Sequence, residues 1–461
     1  MPDLTLTGDG PTITSIPQLR EAVAGQVIEP GDAEYDRART VFLGGIDRRP
    51  AVIVRPAGAG DVAHVLAFAR SSGLRLAVRS GGHSVHSVCD DGIVLDLSSL
   101  NTLTIDPERR TAWVEPGLTA GEYTAAAGAH GLATGFGDTG SVGIGGITLG
   151  GGIGFLVRKF GMTIDDLLAA EVVTADGELL QVDADNHPDL FWAIRGGGGN
   201  FGVVTRFQFQ LHEVGPIVGG MMFLPVDAEI LSSFLALADA APDELSTIAN
   251  VMTAPPMPFI PEELHGEPVL MAQLAYVGDV EEGQRVIAPF KALAEPFLDM
   301  VAPISYPEMY MPDEEGYHPV TTNRTMFVDT VDDDAVKTIL EQLRASSASM
   351  AVTQLRALGG AMARVPVEDT AFAHRDRRFM VTVAAVYEDP AEHATHEEWA
   401  DALAAALRNG PDGAYVNFLS EDGPARIREA YPGATWDRLT ELKRRYDPEN
   451  LFRFNTNIPP A

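Results

Sequence analysis

Short apolar runs alternate with amphipathic patterns through the first half of the chain. Runs rich in β-branched and aliphatic side chains predict strands at 51–55, 74–79 and 92–97. Between the first two runs, apolar residues recur at the spacing of one helix face: Val62, Val65, Leu66 and Ala69, within a predicted helix at 61–71. This alternation indicates a domain that mixes helices and strands.

The same alternation continues as far as residue 211. The predicted elements are strands at 102–105 and 111–114, a helix at 119–130, a hairpin at 171–182 and a strand at 203–211. Asp106-Pro107 and Asp176-Gly177 are pairs that favour turns, so each is expected to join two strands.

The composition changes near residue 213, after which Pro and Met become common. Helical patterns alternate there with strand-like runs, the helices at 227–240, 279–294, 333–346 and 393–408 and a clear strand at 379–386. This predicts a second domain, a sheet with helices on one side. A C-terminal segment that begins near Tyr415 contains a further predicted helix at 435–446.

Charge and cysteine content exclude several classes of protein. The 461 residues include 33 Lys and Arg against 65 Asp and Glu, so the net charge is −32, which argues against binding to nucleic acid or to an anionic membrane surface. Cys89 is the single cysteine, so no internal disulfide can form. Residues 1–10 lack a basic, apolar leader pattern, and no run of about 18 apolar residues occurs. We therefore expect a cytoplasmic protein. No cluster of His, Cys, Asp or Glu occurs at a metal-binding spacing, so we expect no metal site.

Three glycine clusters dominate the first half. They are 79–83 (Arg-Ser-Gly-Gly-His), 137–154 and 195–204. Consecutive N–H groups in glycine turns form a concave site for an anion such as a pyrophosphate. A P-loop is excluded because no Lys follows the glycines, and 145–151 is not a convincing Rossmann fingerprint because no clear strand precedes it. Tight turns alone are the alternative, but three clusters favour a nucleotide cofactor held by main-chain donors.

These clusters, together with the run from Asp189 to Val204 and the tail that starts at Tyr446 (Tyr-Asp-Pro-Glu-Asn-Leu-Phe), resemble the berberine bridge enzyme-like flavoproteins of the vanillyl-alcohol-oxidase superfamily. The resemblance implies an α+β chain with a two-domain PCMH-type FAD-binding fold, whose substrate domain is an antiparallel sheet covered by helices. The expected parts are an FAD-binding domain at 1–212, a substrate-binding domain at 213–412 and a C-terminal segment at 413–461 that returns to the FAD domain.

The resemblance also implies how FAD is held. The histidine that matches His83 is bonded covalently to the flavin 8α-methyl group. Relatives with a second, cysteinyl link carry Cys where this chain has Thr139, so we expect one covalent bond and a packing role for Cys89. The residues assigned to the cofactor are Arg79, Ser80, Gly81, Gly82, His83, Ser84, Gly137, Asp138, Thr139, Ser141, Val142, Gly145, Gly146, Gly150, Gly151, Ile153, Gly202, Val203, Val204, Tyr415, Asn417 and Asn455.

Four residues are candidates for the chemistry. Tyr415 matches a tyrosine near the flavin in several relatives and is the candidate base, with Asn417 to orient it; a packed strand tyrosine is the alternative. Val142 matches a small residue that accompanies fast reaction with O₂. His374 could face the substrate, although a framework role is the more common one for a lone histidine. Other relatives have a tyrosine where this chain has Ile153 or Phe418, so their base chemistry does not transfer.

An aromatic and Met-rich loop suits either the wall of an apolar pocket or core packing; it contains Tyr306, Met309, Tyr310, Tyr317 and His318.

The expected activity is oxidation of an alcohol, sugar or amine by hydride transfer to covalent FAD, with O₂ as acceptor and H₂O₂ as product. The alternatives are a flavin-dependent dehydrogenase, a net-neutral cyclase or lyase of secondary metabolism, and a non-catalytic flavin-binding protein. We expect a monomer or small homo-oligomer without nucleic-acid, membrane or metal partners.

Overall fold

We analysed a computed structural model, which describes residues 13–311, 316–420 and 423–461. The N-terminal residues 1–10, on which the prediction of a chain without a leader rests, lie outside the described residues. No helix in the described ranges is long and apolar enough to cross a membrane.

The strands follow in chain order, with the first eleven before residue 214. They are β1 Gln26–Ile28, β2 Val52–Arg55, β3 Leu76–Arg79, β4 Ile93–Asp96, β5 Leu103–Asp106, β6 Thr111–Val114, β7 Leu132–Ala133, β8 Leu167–Val173, β9 Leu179–Asp183, β10 Val203–Gln210, β11 His212–Glu213, β12 Ile217–Pro225, β13 Leu245–Thr253, β14 Pro268–Tyr276, β15 Leu298–Asp299, β16 Ala302–Ile304, β17 Val320–Val328, β18 Met350–Ala357 and β19 Phe379–Tyr387.

The α-helices are distributed over the whole chain. They are α1 Ile16–Ala22, α2 Tyr35–Arg39, α3 Ala59–Ser72, α4 Ala120–Gly128, α5 Ile144–Gly150, α6 Val157–Phe160, α7 Pro188–Ile194, α8 Ala228–Asp239, α9 Val280–Lys291, α10 Asp333–Ala345, α11 Ala361–Arg364, α12 His393–Leu407, α13 Gly423–Ala430 and α14 Ala434–Tyr446.

Two sheets organise the first half of the chain. One has the order β1-β2-β4-β3, in which β4 pairs in parallel with both β2 and β3, and the other is antiparallel with the order β5-β6-β10-β8-β9. Helix α3 packs its apolar face on the first sheet, and the four residues predicted for that face are all buried. Asp176-Gly177 forms the turn of the β8–β9 hairpin, as the sequence predicts.

A large antiparallel sheet occupies residues 217–387, with the order β15-β12-β14-β13-β18-β19-β17 and β16 beside β12. Apolar side chains from α8, α9, α10 and α12 fill one face of this sheet. Alternate residues on β13 and β18, such as Asn250 and Gln354, point to the opposite face. The predicted α+β class and the helix-covered sheet are therefore confirmed, while the boundaries at 213 and 413 stay predictions.

The C-terminal tail is anchored by one buried lysine. Nζ of Lys443 donates to the carbonyl of Asn200 at 2.9 Å, to the carbonyl of Phe452 at 2.9 Å and to the carboxylate of Asp447 at 2.7 Å. Asp447 also accepts from the backbone N–H groups of Leu451 and Phe452. Lys443 and Asp447 are completely buried, so this ion pair fastens the tail to the third glycine cluster.

We expect Lys443→Met to destabilise the fold, because it leaves the Asp447 carboxylate buried without its cation. Loss of one partner of a buried pair typically costs about 3–5 kcal/mol. Urea unfolding should show this loss, whereas Lys337→Met, which removes an exposed partner of Asp334, should change stability by less than about 1 kcal/mol. Equal stability of the two variants would contradict the anchoring role.

Candidate active site

The first two glycine clusters touch each other through their backbones. A Cβ on Gly81 would overlap the nitrogen of Gly143, and a Cβ on Gly143 would overlap Gly81 and Ser80 in the same way. A Cβ on Gly145 would lie 3.0 Å from Pro116 and 3.1 Å from Oγ of Ser80. Only glycine permits this approach, so the two loops form one cradle lined by main-chain groups.

His83 lies on the rim of this cradle and is held on two sides. Its Nε2 is 3.0 Å from Oγ of Ser141, which belongs to the second loop. Its ring stacks on Phe42 with the centroids 4.1 Å apart. The next residue, Ser84, is exposed and caps a short turn by accepting from the N–H of His86 at 3.2 Å. The imidazole is thus fixed in direction while remaining only partly buried.

Arg79 and Ser80 face the framework with their side chains. Arg79 forms an ion pair with Asp96 at 2.8 Å, and both residues are almost completely buried. Oγ of Ser80 donates to the carbonyl of Pro116 at 2.6 Å. The predicted contact of these two residues with FAD is therefore left to their main-chain groups. Gly82, with φ +78°, provides the left-handed turn that brings His83 to the rim.

Helix α5 connects the cradle to a second group of predicted residues. The helix begins directly after Gly143, and at its end a Cβ on Gly150 would overlap the side-chain amide of Asn417. Asn417 donates one amide N–H to the carbonyl of Ile147 and the other to the hydroxyl oxygen of Tyr415, each at 3.0 Å. Seven residues of helix span about 10 Å, which sets the separation of the two groups.

Tyr415 is buried, with 2% of its surface exposed, and its hydroxyl oxygen accepts two hydrogen bonds. One comes from Asn417 and the other from the N–H of Gly152 at 2.9 Å. Burial raises the pKa of Tyr415 above its usual range, whereas the bonds from Asn417 and Gly152 and the charge of Arg356 act in the opposite direction. Gly151, at φ +137°, leaves room for the tyrosine ring, from which its Cβ would be 3.3 Å away.

The large sheet carries a chain of polar residues that the sequence motifs do not predict. Arg356 on β18 donates to the carbonyl of Ile153 at 3.1 Å, to Oε1 of Gln354 at 2.9 Å and to the carboxylate of Asp138 at 2.6 Å. Gln354 in turn donates to Oδ1 of Asn250 at 2.8 Å. The alternation of Gln354 and Arg356 with the apolar Leu355 and Ala357 is the signal that could have identified this face.

His374 lies in the framework beside this site. It is 3% exposed, its Nε2 is 3.0 Å from the carbonyl of Glu429, and its ring stacks on Phe327. Burial lowers its pKa to about 4, so the imidazole is neutral at physiological pH. One aromatic ring, that of Phe372, separates it from Tyr415. These contacts favour the framework role over the predicted catalytic role.

The third glycine cluster and the C-terminal tail meet at Asn455. Its Nδ2 donates to the carbonyls of Gly199 at 3.1 Å and Phe452 at 3.3 Å, and within the described ranges its buried Oδ1 has no hydrogen-bond partner. Position 202 requires glycine because its backbone lies close to β8. A Cβ on Gly202 would lie 2.6 Å from the side chain of Val172. Val203 and Val204 point into two apolar clusters, so only their main chain is available to a ligand.

The aromatic loop packs against the second glycine cluster. Tyr306 and Met309 are buried in an apolar cluster with Phe155, which favours core packing for these two residues. Tyr310 donates to the carbonyl of Gly137 at 3.1 Å, and burial raises its pKa to about 12. Two other members lie elsewhere: Tyr317 is exposed, and Nδ1 of His318 is 3.1 Å from the carbonyl of Phe42.

Cys89 is a packing residue, as predicted. It is completely buried in an apolar cluster, and burial raises the pKa of its thiol to about 11. The hydroxyl of Thr139, at which no cysteinyl link is expected, donates to the neighbouring Asp138. In the described parts of the chain, no group of three or more His, Cys, Asp or Glu side chains is arranged to hold a metal.

The residues present fit a dinucleotide cofactor. The paired glycine loops offer a backbone-lined cradle, a Cβ on Gly146 would meet no atom within 4 Å, and Oδ1 of Asn455 is an acceptor free to bind a ligand N–H or O–H group. Ser84, Gly81 and Gly146 are exposed beside these groups. Most of the predicted cofactor residues are thus brought together in two connected places, around His83 and around Tyr415, while Gly202, Val203, Val204 and Asn455 lie where the tail meets the third glycine cluster.

Comparison with known proteins supports the same interpretation. Residues 50–183 match the family model described as FAD binding domain, and residues 414–459 match that of berberine and berberine-like proteins. The chain is 32% identical over 457 residues to (R)-6-hydroxynicotine oxidase of Paenarthrobacter nicotinovorans, with 95% of this chain and 97% of that protein covered. It is 30% identical to an uncharacterised FAD-linked oxidoreductase of Bacillus subtilis, with 95% and 97% covered.

Solved structures share the fold over nearly the whole length. The crystal structure of 6-hydroxy-D-nicotine oxidase from Arthrobacter nicotinovorans superposes with a TM-score of 0.84 at 29% identity, covering 95% of this chain and 98% of that one. Berberine bridge enzyme-like protein 1 of Physcomitrella patens gives 0.86 at 23% identity, covering 97% and 100%. The resemblance drawn from the motifs is therefore confirmed, and the chain belongs to the berberine bridge enzyme-like family of FAD-linked oxidoreductases.

Proposed function

We propose that the protein is an FAD-dependent oxidase that removes a hydride from an alcohol, sugar or amine-type small molecule and passes the electrons to O₂, with H₂O₂ as product. The observation that carries the proposal is the position of helix α5. One end of the helix meets the loop of His83, and the other end meets Asn417 and Tyr415. A cofactor anchored at the first end is thereby brought towards a candidate base at the second.

FAD would be attached covalently through His83 alone. Nε2 of His83 is fixed by Ser141 and its ring by Phe42, so the imidazole is preorganised for one direction of approach. The pyrophosphate would be bound by main-chain N–H groups of the two glycine loops, and Asn455 would bind from the tail side. The bound flavin supplies the chemistry of hydride acceptance.

Tyr415 would take the proton that the substrate loses. Its oxygen accepts two hydrogen bonds, and both would strengthen on ionisation because a phenolate is the better acceptor. Asn417 fixes the direction of the phenol, since its second amide N–H is bound to helix α5. Burial excludes water from the ring, which protects the proton transfer from solvent.

Val142 would admit O₂ to the cofactor. Its carbonyl accepts from the N–H of Ala120 at 2.9 Å, so the main chain that carries the isopropyl group is fixed. Several relatives and solved structures carry names that state a substrate, namely 6-hydroxynicotine, xylo-oligosaccharides, chito-oligosaccharides and glucose. For this chain the substrate is kept at the level of an alcohol, sugar or amine. The cytoplasmic location and the monomeric or small homo-oligomeric state stay predictions.

His83→Ala should release the cofactor from covalent attachment. After acid precipitation we expect the yellow colour to stay with the pellet for the unmodified protein and to move to the supernatant for the variant. His86→Ala is the matched control, since this histidine lies outside the motif and contacts Phe454 edge-on. Colour in the supernatant of the unmodified protein would contradict the covalent link.

Tyr415→Phe should lower kcat by about 10²–10⁴-fold, because it removes the group that accepts the proton. Turnover is measured by oxygen uptake, with a substrate found in a screen of alcohols, sugars and amines. Tyr123→Phe is the matched control, because it removes another buried hydroxyl, which is bound to Thr134 at 3.0 Å. A Tyr415→Phe variant with unchanged kcat would remove Tyr415 from the mechanism.

Val142→Leu should slow the reaction of the reduced cofactor with O₂, because the larger side chain closes the space beside the flavin. We expect about a tenfold decrease, equivalent to roughly 1.4 kcal/mol in the barrier, with anaerobic reduction by substrate unchanged. Stopped-flow absorbance separates the two steps, and the exposed Val367→Leu is the matched control. Reduction of the flavin without oxygen uptake in the unmodified protein would instead indicate a dehydrogenase.

A further inference from the structure

We propose that Arg356 and Asp138 form an electrostatic pair that sets the ionisation of Tyr415, with Arg356 favouring the phenolate and Asp138 moderating that effect. Arg356 is a positioning residue in this proposal, because it acts through Tyr415 rather than on the substrate. The inference rests on the proposed function for its catalytic consequence, although the ionisation of Tyr415 can be measured without turnover.

The positive charge of Arg356 lies close to groups that contact Tyr415. The guanidinium of Arg356 donates to the carbonyl of Ile153, the residue next to Gly152, and Gly152 is itself a donor to Tyr415. The guanidinium carbon also lies 5.7 Å from the ring centroid of Phe418, and that ring meets the ring of Tyr415 edge-on at 5.2 Å. The charge therefore contacts the Phe418 ring and the backbone at 153, which lie against the phenol or next to its donor Gly152.

Burial of Arg356 strengthens the effect of its charge. Arg356 is 4% exposed, so water screens its charge weakly, and a buried charge acts on its neighbours over a longer distance than an exposed one. A nearby positive charge favours the ionised form of a phenol. This effect opposes burial, which on its own raises the pKa of Tyr415.

Asp138 supplies the counter-charge to Arg356. Asp138 belongs to the second glycine loop and lies 2.6 Å from Arg356, and its side chain is 20% exposed against 5% for the arginine. The carboxylate holds the guanidinium by a charge-assisted hydrogen bond and reduces the field at Tyr415. One partner belongs to the cofactor loop and the other to the large sheet. A movement of the loop would therefore change their contact and, with it, the field at Tyr415.

Among the residues that the structure describes, two other titratable groups near Tyr415 are paired or neutral. Asp165, which accepts from the N–H of Met162 beneath the tyrosine ring, forms an ion pair with the buried Arg375 at 2.7 Å. His374, one ring further away, has its pKa lowered to about 4 by burial, so it is neutral above that pH. Arg356 and its partner Asp138 are thus the charged pair that faces the phenol from the sheet and from the cofactor loop.

The test measures the ionisation of Tyr415 directly in the FAD-loaded protein. Tyrosine labelled with ¹³C at Cζ gives a resonance that moves on ionisation, and Tyr415→Phe identifies the signal. We expect Arg356→Gln to move the midpoint to higher pH by about 0.5–1 unit and Asp138→Asn to move it to lower pH by a similar amount. Arg356→Lys, which keeps the charge, should have a midpoint close to that of the unmodified protein.

The pH profile of kcat/KM should move with the Tyr415 midpoint, to higher pH for Arg356→Gln and to lower pH for Asp138→Asn. A merely structural role would lower activity in both variants, whereas the proposal predicts that Asp138→Asn extends activity to lower pH. The matched control is Arg324→Gln, on the helix-covered face of the same sheet, where Arg324 pairs with Glu397 at 2.8 Å and with Asp401. This control should leave the Tyr415 signal unchanged.

Shifts of the Tyr415 midpoint in the same direction for Arg356→Gln and Asp138→Asn would overturn the proposal. So would a change confined to KM, which would mean that Arg356 binds the substrate. These outcomes are distinct from failure of the proposed function, because that function fails when Tyr415→Phe keeps full turnover, whatever the resonance of Tyr415 does in the other variants.

Discussion

The site depends on one close contact between two backbones, that of Gly81 with Gly143. Neither position can carry a Cβ, because each Cβ would overlap the main chain of the other loop. The contact brings His83 to Ser141 and places the start of helix α5 against the first loop. Everything that follows along the helix, including its meeting with Asn417, is positioned from this point.

A second constraint joins the large sheet to the glycine-rich half of the chain. Beside apolar packing, long polar side chains reach backbone carbonyls across this contact: Arg356 binds the carbonyl of Ile153, and Arg158 binds the carbonyls of Leu358 and Ala241. Tyr310 does the same at Gly137. Main-chain acceptors are fixed by the fold, so such bonds hold the sheet at a defined distance from the cofactor loops without requiring matched side chains.

The sequence is sufficient to predict features that depend on local chemistry. Apolar spacing locates α3 and the β8–β9 hairpin, and the glycine clusters with His83 identify the cradle. Helix α5 was missed because its sequence, Ile-Gly-Gly-Ile-Thr-Leu-Gly, has poor helix propensity. Its first turn is fixed instead by tertiary contacts, such as the bond from the N–H of Ile144 to the carbonyl of Leu118.

Partners that come from distant parts of the chain were not predictable in this way. Arg356 and Asp138 are 218 positions apart, and Phe42 reaches His83 from a segment that has no motif. A single sequence shows that Gln354 and Arg356 share one face of a strand, but it does not show which loop lies opposite them. The family models match residues 50–183 and 414–459, so they give no help with the strands that lie between these ranges.

The polar face of the large sheet has a consequence for substrate binding. Asp138, Arg356, Gln354 and Asn250 already satisfy one another, and Asn250 continues the chain to the carbonyl of Met271 at 3.3 Å. A substrate that binds to one member therefore competes with a bond that exists already, and it must replace that bond to avoid leaving a buried polar group unpaired. Hydrogen bonds in such a chain also polarise one another, so we expect a change at Asn250 to alter the field of Arg356. Under the proposed function, substrate recognition at the sheet would in this way be coupled to the chemistry at Tyr415 through one connected set of polar side chains.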